Sequence, residues 1–241
     1  RTNQSSATYC SWNWLAGGTA SSNTDGDVTS SVSANTTAGF SIVSFNGGGS
    51  GSDNIGHGLG STPKIILIKD RDGATDWLWY TTAIDGSYDT LRLNTTGAKT
   101  DSSYTAPTSS VFYFPANTSN DYIAYCFAEK KGYSKFGSYV GNLNTDGTFV
   151  YTGFKPAFVI VKNTVTAPTD WIMIDNKRPG YNLGLPLQPN LSNAEGSSNT
   201  ADLLSNGFKV RNQYAGWNDT NTTIYMAFAE NPFVTSGGIP T

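Results

Sequence analysis

The chain has 241 residues and a net charge of −3; 13% of its residues are aromatic, and 14% are charged where an ordinary globular protein has about 25%. No Lys/Arg run exceeds Lys130-Lys131, which excludes the basic face that displaces counterions from nucleic acid. No apolar stretch approaches the roughly 20 residues of a membrane-spanning helix, and the aromatic content is too high for ordinary disorder.

Residues 1–38 are rich in Ser, Thr and Asn around an isolated Cys10-Ser11-Trp12-Asn13-Trp14 cluster, and read as a linker or the end of a preceding module. A start at Arg1 implies a processed chain or a piece of a longer one. Strand-like runs follow at Phe40 to Phe45, Ile65 to Ile68, Val111 to Phe114, Tyr122 to Phe127, Phe149 to Phe154, Phe158 to Val161, Phe208 to Val210 and Thr223 to Phe228. Ile65 to Ile68 and Phe158 to Val161 are apolar throughout, as expected of strands covered on both faces. Turn signals separate the runs: Asn46-Gly47-Gly48-Gly49, Asp72-Gly73, Asp85-Gly86, Asp146-Gly147 and Asn206-Gly207. Asn199 to Leu204 is expected to form one capped helical turn, and nothing longer shows a 3.6-residue apolar period. Many short strands with Gly-rich turns predict an all-β sandwich.

The chain also repeats itself after about a hundred residues, too long a period for a solenoid unit and the size of a small domain. Pro63 to Asp70 is echoed by Pro156 to Asn163, Thr75-Asp76-Trp77 by Thr169-Asp170-Trp171, and Phe127-Ala128-Glu129 by Phe228-Ala229-Glu230. Two tandem, duplicated β-sandwich modules are therefore expected, at 39–131 and 132–233, with a Gly/Pro tail at 234–241. Trp77 and Trp171, repeat equivalents beside an apolar strand, are expected in the core.

Catalytic constellations do not assemble from this pattern. His57 is the only histidine, and no Gly-x-Ser-x-Gly elbow accompanies it, so it reads as a turn residue. A glycosidase needs two carboxylates across a cleft. Of the candidates Asp76, Asp170, Asp175 and Glu129, the Asp76/Asp170 and Glu129/Glu230 pairs recur in both modules, which suggests a role in holding the fold. Asn142 to Gly147 starts like a calcium loop, but its twelfth position is Gly153 rather than Glu, so it reads as a turn. Two cysteines, Cys10 and Cys126, cannot build a zinc site with one histidine; Cys126 reads as a buried free thiol, and their pairing stays open. No metal and no cofactor are expected. Seven Asn-x-Ser/Thr sequons, at Asn3, Asn35, Asn94, Asn117, Asn190, Asn218 and Asn221, are what a chain of this composition produces by chance.

The best binding signal is aromatic and amide-rich. In Tyr214-Ala215-Gly216-Trp217-Asn218-Asp219, the rings of Tyr214 and Trp217 can stack on a sugar while Asn218 and Asp219 bond its hydroxyls. The bland alternative puts Trp217 inside the sandwich or a subunit interface.

Several segments resemble C-terminal modules of bacteriophage tail-fibre and other virion appendage proteins, especially in viruses of marine bacteria. They are Gly39-Phe40-Ser41-Ile42-Val43, Gly56-His57-Gly58-Leu59-Gly60 with Pro63-Lys64, Phe127-Ala128-Glu129, Gly132 to Tyr139 and Gly153-Phe154-Lys155-Pro156. Trp171 to Arg178, Tyr181-Asn182, Pro189 to Glu195 and Asn231-Pro232-Phe233 belong to the same likeness, which covers most of residues 12–241. The resemblance implies concanavalin- or SPRY-like jelly-roll sandwiches, no catalytic residue, and a structural loop at Asp175, Arg178 and Asn182, which is either a surface feature or held by Arg178 pairing with Asp175. It implies a virion structural protein on the particle surface, partnered by other virion proteins and by copies of itself. A trimer follows by analogy with fibres. Contact with a glycan or protein of the host surface is expected, multivalent across copies, without nucleic acid and without membrane insertion. A secreted or cell-surface carbohydrate-binding module is the alternative, and a polysaccharide-degrading enzyme the third reading.

Overall fold

The computed structural model describes residues 5–6, 9–49, 51, 53–116, 118–178 and 185–232. In chain order the strands are β1 (Ser21–Asn23), β2 (Ser30–Asn35), β3 (Phe40–Asn46), β4 (Asp53–Gly56), β5 (Ile65–Asp70), β6 (Leu78–Thr81), β7 (Asp89–Arg92), β8 (Thr100–Asp101), β9 (Val111–Phe114) and β10 (Asp121–Phe127). They continue as β11 (Ser134–Val140), β12 (Phe149–Tyr151), β13 (Pro156–Asn163), β14 (Ile172–Asp175), β15 (Ala201–Leu204), β16 (Gly207–Val210) and β17 (Thr222–Ala229), with one helical turn, α1 (Ala215–Asn218). The protein is all-β, and the pairings between these strands are antiparallel.

Four sheets lie in layers. The largest runs β1-β2-β3-β10-β5-β6-β7-β8, and the next runs β11-β17-β13-β14. Their facing sides bury one aromatic core: Phe40, Ile65, Trp79, Leu91 and Phe127 from the first meet Phe136, Phe158, Ile160, Met173, Ile224, Met226 and Phe228 from the second, joined by Trp171 just ahead of β14. On its far side the large sheet packs Val43, Ile66, Ile68, Tyr122 and Cys126 against Ile55, Phe112 and Phe114 of the small β4-β9 sheet. The four-stranded sheet does the same with Val159, Val161, Tyr225 and Ala227 against Val150, Leu203, Phe208 and Val210 of the β12-β16-β15 sheet. Successive strand residues point to opposite faces, so the stretches Ile65 to Ile68 of β5 and Phe158 to Val161 of β13, lying between two cores, are apolar at successive positions. That is why these two segments stood out in the sequence.

Four expectations need correction. Residues 21–35, expected within a linker, form β1 and β2, and β2 pairs along the whole outer edge of β3. Only Val32 among them is a large buried hydrophobe, because strands at the margin of a sheet need few apolar side chains; Ser30 and Ser33 of β2 bond carbonyls of Gly56 and Gly18 at 2.9 and 2.6 Å instead. Further upstream, Trp14 packs edge-on against Phe127, Phe158 and Phe228, closing one end of the shared core. The helical turn expected before Gly207 is strand β15, since Ala201 and Leu203 alternate inward and the Asn206-Gly207 turn closes a hairpin with β16. Phe149 to Phe154 is strand only as far as Tyr151. Trp171 is fully buried, its ring centroid 4.7 Å from that of Trp79, whereas Trp77 is half-buried beside Tyr125.

Candidate functional site

The Tyr214–Asp219 segment folds into α1 and separates the four residues expected to share one ligand. The Tyr214 carbonyl accepts the N–H groups of Trp217 and Asn218, at 3.2 and 3.0 Å, and so rolls Trp217 inward. Trp217 is completely buried; its indole N–H donates to Asn212 Oδ1 at 2.6 Å, and its carbonyl accepts from Tyr139 Oη at 2.6 Å. Asn218, also completely buried, accepts from Asn142 N and donates to the carbonyls of Asn144 and Asn212. Neither can face a ligand, which corrects their expected binding role: both tie the loops at residues 142–144 and 212 to β17. Asp219 is taken up in the turn, accepting from Thr166 Oγ1 at 2.5 Å and Thr220 N at 2.7 Å; its carboxyl lies below the usual range, chiefly through the Thr166 bond.

Tyr214 alone stays out, 43% exposed, on the wall of a pocket of about 300 Å³. Ile172 and Pro186 supply apolar lining, and Gln188, Asn193, Ser198 and Asn212 supply amides and a hydroxyl. At the rim, the Asp170 carboxylate accepts from Asn190 Nδ2 at 2.8 Å and Gln188 Nε2 at 2.9 Å, with the Tyr214 hydroxyl at 3.5 Å. Burial, followed by the Asp170 charge, pushes the Tyr214 phenol above its ordinary value, so the phenol stays protonated and can donate at neutral pH. Among the described residues the lining carries no full charge apart from the Asp170 carboxylate at the rim, and with the ring and the amides it is suited to hydroxyl-rich neutral molecules. Composition pointed to Tyr214; its pocket partners at 186–198 lie in a loop whose polarity carries no periodic signal.

In the Asp175 loop an ion pair joins Asp175 to Arg178. Arg178 Nε donates to Asp175 Oδ2 at 2.6 Å, its guanidinium also engages Glu195 and the Leu185 carbonyl, and it stands 5.9 Å over the Trp12 ring. Burial pushes the Asp175 carboxyl up, but Arg178 and the N–H groups of Lys177 and Arg178 outweigh it and hold it below its ordinary value. Asn182 lies outside the described residues. The other carboxylates are engaged too: Asp76 by Arg92 at 2.9 Å, and Glu129 by Lys64 and Lys135, both at 3.1 Å. Among the described residues no group of three or more His, Cys, Asp or Glu is placed to hold a metal ion. Cys10 is exposed and Cys126 buried, both as free thiols.

His57 is buried in its turn, accepting Leu59 N at Nδ1 and donating from Nε2 to the Thr108 carbonyl, both at 3.2 Å. This donor-and-acceptor pattern requires the neutral ring, and burial lowers its pKa below 6.5. An unfolded chain takes up this proton as pH falls below about 6.5 while the native chain resists it, so acid costs stability here. Denaturant midpoints of wild type and His57→Thr, compared at pH 7 and pH 5, should show the wild type losing more on acidification.

No curated protein and no solved structure matches this chain. A family described as a domain of unknown function matches residues 1–232, a span that takes in the N-terminal strands together with both halves. The chain belongs to that family, DUF7483.

Proposed function

We propose that this chain is a duplicated pair of concanavalin- or SPRY-like sandwiches serving as a structural and binding module of a virion appendage, with the Tyr214 pocket taking a neutral saccharide of the host surface. Duplication is supported by strand order: β3-β10-β5-β6 beside β4-β9 in one half, β11-β17-β13-β14 beside β12-β16 in the other. It is also supported by bonding. Trp77 N donates to Asn94 Oδ1 and Asn94 Nδ2 to Asp76, as Trp171 N donates to Asn190 Oδ1 and Asn190 Nδ2 to Asp170.

One difference between these paired sites carries the binding reading. Asp76 is paired with Arg92, whereas Asp170 takes its hydrogen bonds, among the described residues, from neutral donors, feels the Lys162 ammonium only through its charge, and stands beside an exposed tyrosine and a polar pocket. The copy whose carboxylate forms no ion pair among the described residues is the one that borders a pocket, and the proposed site is therefore in the second half. Placement on a particle rests on the tail-fibre resemblance, and many copies on one particle would turn a weak saccharide contact into firm attachment.

The test is binding of the purified chain to surface polysaccharides and to an array of neutral glycans, with Tyr214→Ala alongside, and proteomics of purified virus particles. We expect the chain on particles, and saccharide affinity falling about tenfold in Tyr214→Ala, the loss of roughly 1.4 kcal/mol of ring contact. Unchanged affinity in the variant would remove the pocket from the reading. Saccharide binding by a chain never found on particles would move it to a secreted carbohydrate-binding module.

A further inference from the structure

We infer that the free edge of β12 is a self-association surface, where two copies of this chain pair strand to strand across a two-fold axis. β12 pairs with β16 on one side only, and no described strand lies on its other side. Thr148 O and Thr152 N point toward β16, accepting from Val210 N and donating to Asn206 O. By the alternation of a strand, the backbone N–H and C=O groups of Phe149 and Tyr151 point away from β16, into the free edge. Their rings lie on the outer face of the outermost sheet, 42% and 64% exposed, while Val150 between them is core.

The same edge is treated differently in the first half. Counterpart positions follow from the duplication proposed above, whereas the free edge and the exposed rings stand on β12 alone. Asn54 and Gly56 occupy the places of Phe149 and Tyr151, and residues 23–30 cover them. Val28 N donates to Asn54 O, Asp27 N to Asn54 Oδ1, and Ser30 Oγ to Gly56 O. A Cβ on Gly56 would lie 1.6 Å from Asn23 Oδ1, so a side chain there would have to displace the Asn23 amide. In the second half the cover is missing among the described residues, and the small residues are replaced by two large exposed rings. Unprotected edges with apolar side chains invite another strand.

The segment names its own partner. Thr148-Phe149-Val150-Tyr151-Thr152 reads nearly the same in both directions, with Thr outside, aromatic next and Val at the centre. Antiparallel pairing of two copies about Val150 sets each Phe149 opposite the other copy's Tyr151. Those are the residues whose backbone groups face outward, so each pair exchanges both N–H···O bonds. The same register lays two aromatic cross-strand pairs on one face. A self-complementary patch of this kind closes as a dimer under two-fold symmetry, not as the trimer that fibre analogy implies.

Sedimentation and light scattering across a concentration series test this, using wild type, Phe149→Lys/Tyr151→Lys and Phe149→Glu/Tyr151→Glu. Wild type should reach twice the 25.7 kDa chain mass. Each charged variant alone should stay monomeric, its dimerisation at least about tenfold weaker, because like charges then face each other. Mixing the two variants should restore a dimer, since Lys at 149 then faces Glu at 151. Thermal unfolding of each variant at high dilution should match wild type, as both positions are exposed. A wild type that stays monomeric at its highest soluble concentration overturns the inference, as does an oligomer that persists in either variant alone. Failure of the mixture to associate overturns the two-fold register. Saccharide binding at Tyr214 is read separately and is untouched by these outcomes.

Discussion

Phe228→Ala should cost about 3–5 kcal/mol of folding stability and lower the thermal midpoint by about 10 °C. Phe228 sits in the core shared by the two large sheets, with Trp14, Phe127, Tyr133, Phe136 and Phe158 around it at ring-centroid distances of 5.3 to 6.3 Å. Its neighbours come from both halves, so the cavity left by alanine is not local to one of them. Cross-links reinforce this. Trp171 Nε1 donates to the Arg92 carbonyl at 2.9 Å, Ser138 Oγ to the Ile84 carbonyl at 2.9 Å, and Lys99 N to the Thr164 carbonyl at 2.8 Å. The whole chain should therefore unfold in one cooperative transition, and the variant should shift all of it. Tryptophan fluorescence and far-ultraviolet circular dichroism, followed together through a denaturant titration, check this. Two separate transitions with only one displaced would mean that the halves fold independently and that the shared core is a weak contact.

The second large effect concerns a buried cation. Lys162, at the end of β13, is completely inaccessible; its ammonium donates to the Asn163 carbonyl at 2.9 Å and Thr169 Oγ1 at 2.8 Å. Burial lowers its pKa to about 8, partly opposed by the Asp170 charge. An unfolded chain keeps this lysine protonated up to about 10.5, the native chain only up to about 8, so between these values the unfolded state holds the extra proton. Raising the pH through that window favours the native state, by at most about 1.4 kcal/mol per pH unit. Lys162→Met, which removes the titrating group, should lose this rise. The comparison is made as the stability difference between wild type and variant at pH 7.5 and pH 9.5, because tyrosines with raised pKa, such as Tyr225 at about 12, work in the opposite direction at higher pH in both proteins. The difference should move by about 2 kcal/mol in favour of wild type. A constant difference would mean that the ammonium is solvated in the native protein.

The strands between two cores were legible without coordinates. β5, β10, β13 and β17 are apolar on both faces, and a run such as Ile65 to Ile68 has no other soluble home than the middle of a layered sheet. The Thr-Asp-Trp echo was legible, and with it a fold-holding role for its carboxylates, but not the asparagine side chain that the carboxylate and the Trp amide share in each half. The candidate site was half legible. Tyr214 and Trp217 were singled out together by residue type, but type does not say which ring goes inward; that was decided by the Asn212 and Tyr139 partners waiting for Trp217.

The all-β class, the main core strands and the long internal echo can be read from the residues alone, because apolar runs and alternation are local properties of the chain. Three further features depend on how distant segments pack, and the folded chain settles them. It placed residues 21–35 in the large sheet, since strands at the margin of a sheet draw their stability from the neighbour's backbone and need little apolar sequence of their own. It made residues 201–210 a hairpin, since an Ala-Asp-Leu-Leu run suits a helical turn or a strand until a core lies beneath it. It left Phe149 and Tyr151 in the open, since alternation says that two rings share a face but only the packing of the other layers says whether anything covers it.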